Sequence, residues 1–178
     1  MKNLFKLNLL AVLLLSFPTF AVDGMAVIDM RTAVLSTQAA SDAFKALEES
    51  ADYSSNLEEA QSIQAERQAI AEKLQKDGET LSQQEIAQMQ KDIQDKGKDL
   101  EFLAGKIQQA QEETAQAVFA STGAAMQKII GELIQAKQIK VLLQKNDSLL
   151  FSDPALDLTD DVTSMLDVAA SEANTQSE

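Results

Sequence analysis

Lys76-Asp-Gly-Glu-Thr-Leu-Ser-Gln-Gln-Glu-Ile86 is the stretch on which the fold of this chain turns. Asp77-Gly78 is a turn signal, because glycine adopts positive φ without steric cost. Ser82 and Glu85 stand in capping-box spacing: the serine oxygen can accept from the third helical N–H while the glutamate reaches back. On either side run Ala, Gln, Glu, Lys and Leu, the strong helix formers, with no proline from Thr32 to Lys137. The expectation is two long helices, Ser41 to Lys76 and Ser82 to Lys137, joined by a tip near 77–81. At about 1.5 Å per residue they measure roughly 54 and 84 Å.

The apolar pattern decides whether these helices pair or splay. Stepping by sevens from Ile86 gives Ile93, Leu100 and Ile107, then Thr114 and Ser121. The companion position gives Met89, Lys96, Leu103, Ala110, Ala117 and Ala124. That is an a/d seam with one polar interruption, Lys96, fading into small residues beyond Ala110. The first helix offers Leu57, Ala60, Ile63, Ile70 and Leu74, with Arg67 inside the stripe. An antiparallel hairpin follows. Its width is only two helices, so it must be anchored at its base or bundled with copies of itself.

The base is read from the flanks. Met25-Ala-Val-Ile-Asp-Met30 follows Gly24 and has the adjacent apolar residues of a buried strand. Ile139 to Gln144 and Ser148 to Phe151, separated by the turn cluster Lys145-Asn146-Asp147, read as a β-hairpin. Asp153-Pro154 ends it, since proline removes a ladder donor. Thr159 then caps a short helix with Asp160 and Asp161 in its first turn, favourable to the helix dipole. Val162, Leu166 and Met165 of that helix are expected to face the sheet. The expected fold is mainly α with a small β head: a hairpin over 41–137 inserted between a head formed by 22–40 and 138–168. Residues 169–178 are expected to be a disordered tail. So few short strands are marginal alone. Val27, Ile28, Val141 and Leu143 are accordingly placed in or beside an inter-subunit core.

The first twenty-one residues have the layout of an export signal. Lys2 and Lys6 precede the run Leu7 to Leu15, apolar except for Asn8, and Thr19 and Ala21 are small residues at the −3 and −1 positions of a cleavage site after Ala21. The run is too short to span a bilayer, which needs roughly 20 apolar residues. Formal charge is −13 and becomes −15 once Lys2 and Lys6 are removed. Such a chain repels nucleic-acid phosphates and anionic headgroups. With neither cysteine nor histidine, thiol chemistry and the commonest neutral-pH base and metal ligand are excluded. There is no phosphate-binding glycine loop and no metal-ligand spacing. No enzyme and no cofactor are expected.

Several segments, in order, resemble the Skp/OmpH family of periplasmic chaperones. They are the signal, Ala26-Val-Ile-Asp-Met30 directly after it, Leu74-Gln-Lys-Asp-Gly-Glu-Thr-Leu-Ser82 at the tip, and Asp153-Pro-Ala-Leu-Asp-Leu-Thr-Asp-Asp-Val162 before the final helix. The resemblance implies a homotrimer in the periplasm: a β-rich head with three hairpins hanging from it as tentacles around a cavity. It also implies an ATP-independent holdase for unfolded outer-membrane β-barrel proteins. A structural coiled-coil protein, an envelope spacer or assembly scaffold, is the alternative that the seam alone allows.

One departure bears on how clients are held. Asp42 to Glu66 carries seven acids against Lys45 alone, whereas Lys73 to Lys98 balances five lysines with five acids. Lys73, Lys76, Lys91, Lys96 and Lys98 are the candidate client contacts at the tip. No lipopolysaccharide or membrane site is carried over to so acidic a chain. Gly97 and Gly105 are candidate flexible points of the second helix. Gly131, on the small-residue seam, reads instead as close packing.

Overall fold

The computed structural model describes residues 24–176; the expected signal and its cleavage point at Ala21 lie outside them. The chain begins with β1 (Met25–Ile28), then three helices, α1 (Met30–Leu35), α2 (Gln38–Glu48) and α3 (Ala51–Asp77). The tip turn leads into α4 (Gln83–Ala136), which returns the chain to β2 (Val141–Gln144). A 3-10 turn at Pro154–Leu156 and a final helix α5 (Thr159–Gln176) complete it.

The capping box forms as read: Glu85 N–H donates to Ser82 Oγ at 3.3 Å, and Ser82 N–H to Glu85 Oε2 at 2.8 Å. Gly78, however, keeps φ at −56. Its glycine is required by room rather than by handedness, since an added Cβ would lie 2.6 Å from the Leu74 carbonyl oxygen. Positive φ falls instead at Gly24 (88) and Gln138 (52), the two hinges beside the strands. A Cβ on Gly24 would also sit 2.9 Å from Lys140 Cγ.

α3 lies along α4, and partner numbers fall on α3 as they rise on α4, so the pair is antiparallel. Lys96 pairs with Glu66, Lys106 Nζ donates to Asn56 Oδ1 at 3.0 Å, and Gln111 Nε2 donates to Tyr53 Oη at 2.7 Å. The expected seam positions from Ile86 to Ala110 are buried or half-buried, as are Leu57 to Leu74 facing them, Arg67 included. Beyond Ala110 the sevens fail. Ala117 and Ala124 are exposed, while Val118 and Ile129 are buried. Ile107, Val118 and Ile129 are spaced by elevens, the repeat that keeps an almost straight helix on one face.

The first arm is not one helix. It breaks at Glu49-Ser50, where Ser50 Oγ donates back to the Leu47 carbonyl at 2.7 Å, a local bond that competes with the helix ladder. α2 starts ahead of the expected Ser41, capped by Thr37, whose hydroxyl accepts from Ala40 N–H at 3.2 Å.

The base departs most from expectation. β1 and β2 pair in parallel, Met25 opposite Val141 through Ile28 opposite Gln144. A parallel pair needs a long crossover, and here the crossover is the whole helical hairpin. The β-hairpin expected across 139–151 does not form: Ser148 to Phe151 pairs with nothing in the sheet. The second edge of β1 is taken by Asp157 and Leu158, with Leu158 N–H donating to the Val27 carbonyl at 2.9 Å. The strand expected to reach Met30 stops at Ile28 because Asp29 caps α1, accepting from Thr32 N–H at 2.9 Å. The head is therefore mostly helical rather than β-rich. The expected tail is corrected over 169–176, where α5 stays helical to Gln176; the last two residues lie outside the described ones.

Ile28, Val34 and Ala40 from the first third of the chain, Val118, Ile129 and Leu133 of α4, and Val162 and Leu166 of α5 form one core. Thr159 ties its ends together: its hydroxyl accepts from Asp29 N–H at 3.0 Å and donates to Asp157. It does not cap α5, whose first N–H donates to Asp157 Oδ1 at 3.0 Å. Burial pushes the Asp157 carboxyl up. The Lys145 ammonium at 2.8 Å and the Thr159 hydroxyl and N–H outweigh that and hold it below its ordinary 3.8. Asp29 is lowered chiefly by Thr32 N–H.

Thr159→Val keeps the shape and leaves the Asp29 N–H without its acceptor. It is expected to cost about 1–3 kcal/mol in urea unfolding, and an unchanged midpoint would count against this tie. Because Asp157 and Asp29 are depressed, their contribution is present above pH 3.8 and lost as pH falls through their folded values. A thermal melt series below pH 4 should show this loss, and Asp157→Asn should flatten it.

Candidate functional site

β2 is the outer strand of the pair, hydrogen-bonded to β1 on one side only. Alternation sends Leu142 into the core and turns Val141 and Leu143 the other way. The four residues expected in an inter-subunit core therefore divide. Val27 and Ile28 are buried within the chain itself, whereas Val141 is 43% and Leu143 38% exposed. Farther along, Leu150 is 97% and Phe151 82% exposed. Met25, opposite Val141, is exposed as well. Apolar side chains on an outer strand and on the loop following it make this end of the base an unpartnered surface. Sequence reasoning counted Phe151 as a strand residue. Only the lack of a mate for 148–151 reveals it as exposed.

The lysines expected to form a tip contact do not act as one group. Lys96 lies in the seam with its ammonium on Glu66, and Lys98 bonds Asp95 at 2.9 Å. Both ammonium groups are shifted upward by those bonds, and Glu66 and Asp95 downward. Lys73, Lys76 and Lys91 are exposed and have no ion pair among the described residues. These three flank the turn outside any ion pair, although Lys73 still acts on Glu85 and Lys91 on Asp95 at longer range.

Between tip and base, Phe102 is 67% exposed, with Lys106 Nζ 5.7 Å from its ring centroid. Apart from the backbone of its own helix turn and its chain neighbours, a Cβ added at Gly97, Gly105, Gly123 or Gly131 would meet no atom within 4 Å. Close packing thus does not account for Gly131 within this chain. Among the described residues no group of three or more acids is placed to hold a metal ion.

These features define a class: a jointed helical hairpin closed at its root by a short parallel strand pair, with an unpartnered apolar edge. The chain matches the family model described as Outer membrane protein (OmpH-like) over residues 24–166, and it belongs to that family. No curated protein matches it. Among solved structures it is similar to the crystal structure of a putative outer membrane chaperone (OmpH-like) from Caulobacter crescentus CB15. That pair shares 21% identity over 84% of this chain and 86% of the other, with a TM-score of 0.47.

Gly97→Ala with Gly105→Ala is expected to raise stability by up to about 2 kcal/mol in total, as both helical sites have room for a methyl. Amide exchange over 95–107 should slow in the double variant. Exchange already as slow as in the rest of α4 would remove the soft segment.

Proposed function

We propose that this protein is an ATP-independent periplasmic holdase that works as a homotrimer and keeps unfolded outer-membrane β-barrel proteins soluble in transit. Membership of the OmpH-like family supports the chaperone reading. The observation that carries the assembly is the apolar edge at Val141, Leu143, Leu150 and Phe151, left uncovered by a chain whose core is otherwise closed. In the proposed trimer, residues 22–40 and 138–168 form the head and 41–137 form the arms. Copies meet along β2 and the loop after it.

The charge distribution supports capture through apolar contacts. Client and chaperone meet at a tip where acids and lysines balance, so burial of apolar surface outweighs long-range attraction. Exposed aromatics on the arms are few, and weak contacts spread along them suit a holder of many sequences.

Two measurements test this. Val141→Asp with Leu143→Asp should give a folded monomer by light scattering with unchanged helix content, and a persisting trimer would remove β2 from the interface. Wild type should suppress aggregation of a urea-diluted β-barrel, with an affinity that changes little between low and high salt. Failure to suppress would favour the envelope-spacer alternative. A steep loss at high salt would mean that Lys73, Lys76 and Lys91 dominate capture.

A further inference from the structure

A cleft of about 310 Å³ opens where α1, α2 and α4 meet at the root of the hairpin. Leu35 of α1, Phe44 of α2 and Ala115 of α4 give it an apolar wall, and Arg31, Gln108 and Glu112 also line it. Arg31 is one of two arginines in a chain of net charge −13. It is exposed and forms no ion pair among the described residues. The acid beside it, Glu112, forms no ion pair among the described residues; its Oε1 accepts from Gln108 Nε2 at 2.9 Å, and its charge remains to compete with an incoming carboxylate. Gln111 is fixed, its amide donating 2.7 Å to the hydroxyl of the buried Tyr53. The cleft thus offers one uncommitted guanidinium beside a wall of apolar side chains.

We propose that this cleft binds the C-terminal end of a polypeptide, with Arg31 holding the terminal carboxylate and Leu35, Phe44 and Ala115 taking the apolar side chain of the last residue. The reading rests on the proposed holdase function and names a part of the client. A guanidinium fork matches a carboxylate in two parallel hydrogen bonds. A chain end carries that carboxylate and a side chain on a single residue, which suits one cation next to one apolar wall. The volume points the same way: ligand pockets run from about 300 to 1,000 Å³, and this one lies at the small end, fit for a residue or two rather than a segment. An acidic protein repels most anions at long range. A lone free arginine in a cleft therefore selects an anion that brings its own apolar contact.

The test is a fluorescence titration of the purified protein with a short soluble peptide ending in leucine, against the same peptide as its C-terminal amide. Amidation and Arg31→Gln are each expected to weaken binding about tenfold or more, from loss of the charged pair. Phe44→Ala should weaken it through the apolar wall. Glu112→Gln should tighten it by removing the competing acid. Circular dichroism melts of Arg31→Gln should overlay wild type, since the side chain is exposed and unpaired. Equal binding of acid and amide would overturn the proposal, as would an unaffected Arg31→Gln. Octanoate competing as well as the peptide would overturn the polypeptide end in favour of a fatty acid. Aggregation assays run alongside keep the two readings apart. A protein that suppresses aggregation but binds acid and amide alike keeps its holdase function and loses this site. One that binds the acid selectively but suppresses nothing keeps the site and loses the holdase.

Discussion

The parallel pairing of β1 with β2 is the constraint on which the rest depends. Val141 to Gln144 lies beside Met25 to Ile28 in fixed register, so everything between must leave from and return to one place. Closing a loop of more than a hundred residues costs about 4 kcal/mol in the logarithmic term alone. The helical hairpin reduces that cost, because with α3 lying on α4 only short links remain to be closed. The two hinges Gly24 and Gln138, both at positive φ, bring the strand starts together. Lys140 and Val141 N–H groups both meet the Gly24 carbonyl. Four residue pairs could not hold such a closure unaided. They are reinforced by Leu158 on the far edge of β1 and by the Asp29–Thr159–Asp157–Lys145 chain of polar contacts.

Legibility in the sequence followed the range of the interactions. The tip was readable because a capping box needs only four consecutive residues, and Ser82 and Glu85 carry it. The seam from Ile86 to Ala110 was readable because heptads declare themselves within one helix. It was lost beyond Ala110 because the partner changes there: α3 gives way to α2 and α5, and the spacing from Ile107 to Ile129 follows elevens. The base was misread where apolar character and pairing part company. Leu149-Leu150-Phe151 has strand composition but pairs with no strand of this chain, and the edge of β1 goes to Asp157 and Leu158, which look like a loop. The end of α5 was missed since Ala169 to Gln176 has helix-forming residues without an apolar period. The candidate site was less legible than the fold. Val141 and Leu143 were named beside buried Val27 and Ile28 with nothing in the sequence to separate them, and Arg31 gave no local signal at all.

Electrostatics divide the molecule along its length. In the hairpin Lys96 to Glu66 is the one ion pair between α3 and α4 among the described residues, with Lys96 half-buried in the seam and Glu66 exposed. In the base Lys145 to Asp157 adjoins the buried Thr159, and Lys137 to Asp161 at 3.0 Å, itself solvent-exposed, links the end of α4 to the start of α5. Solvent-exposed pairs contribute little and screen readily. Apolar burial along the seam therefore holds the arm, whereas polar contacts at the root orient it.

The break at Glu49-Ser50 has a mechanical consequence. α4 runs as one rod of 54 residues from the tip into the core, while the opposite arm is two struts, α2 and α3, meeting at a joint. A load applied at the tip reaches the base through α4 as through a spar. The jointed side can change length by folding at Ser50, whereas α4 can yield only by bending, at Gly97 and Gly105. Such a frame yields most easily toward or away from the jointed side. The arm is a cantilever with a preferred direction of deflection.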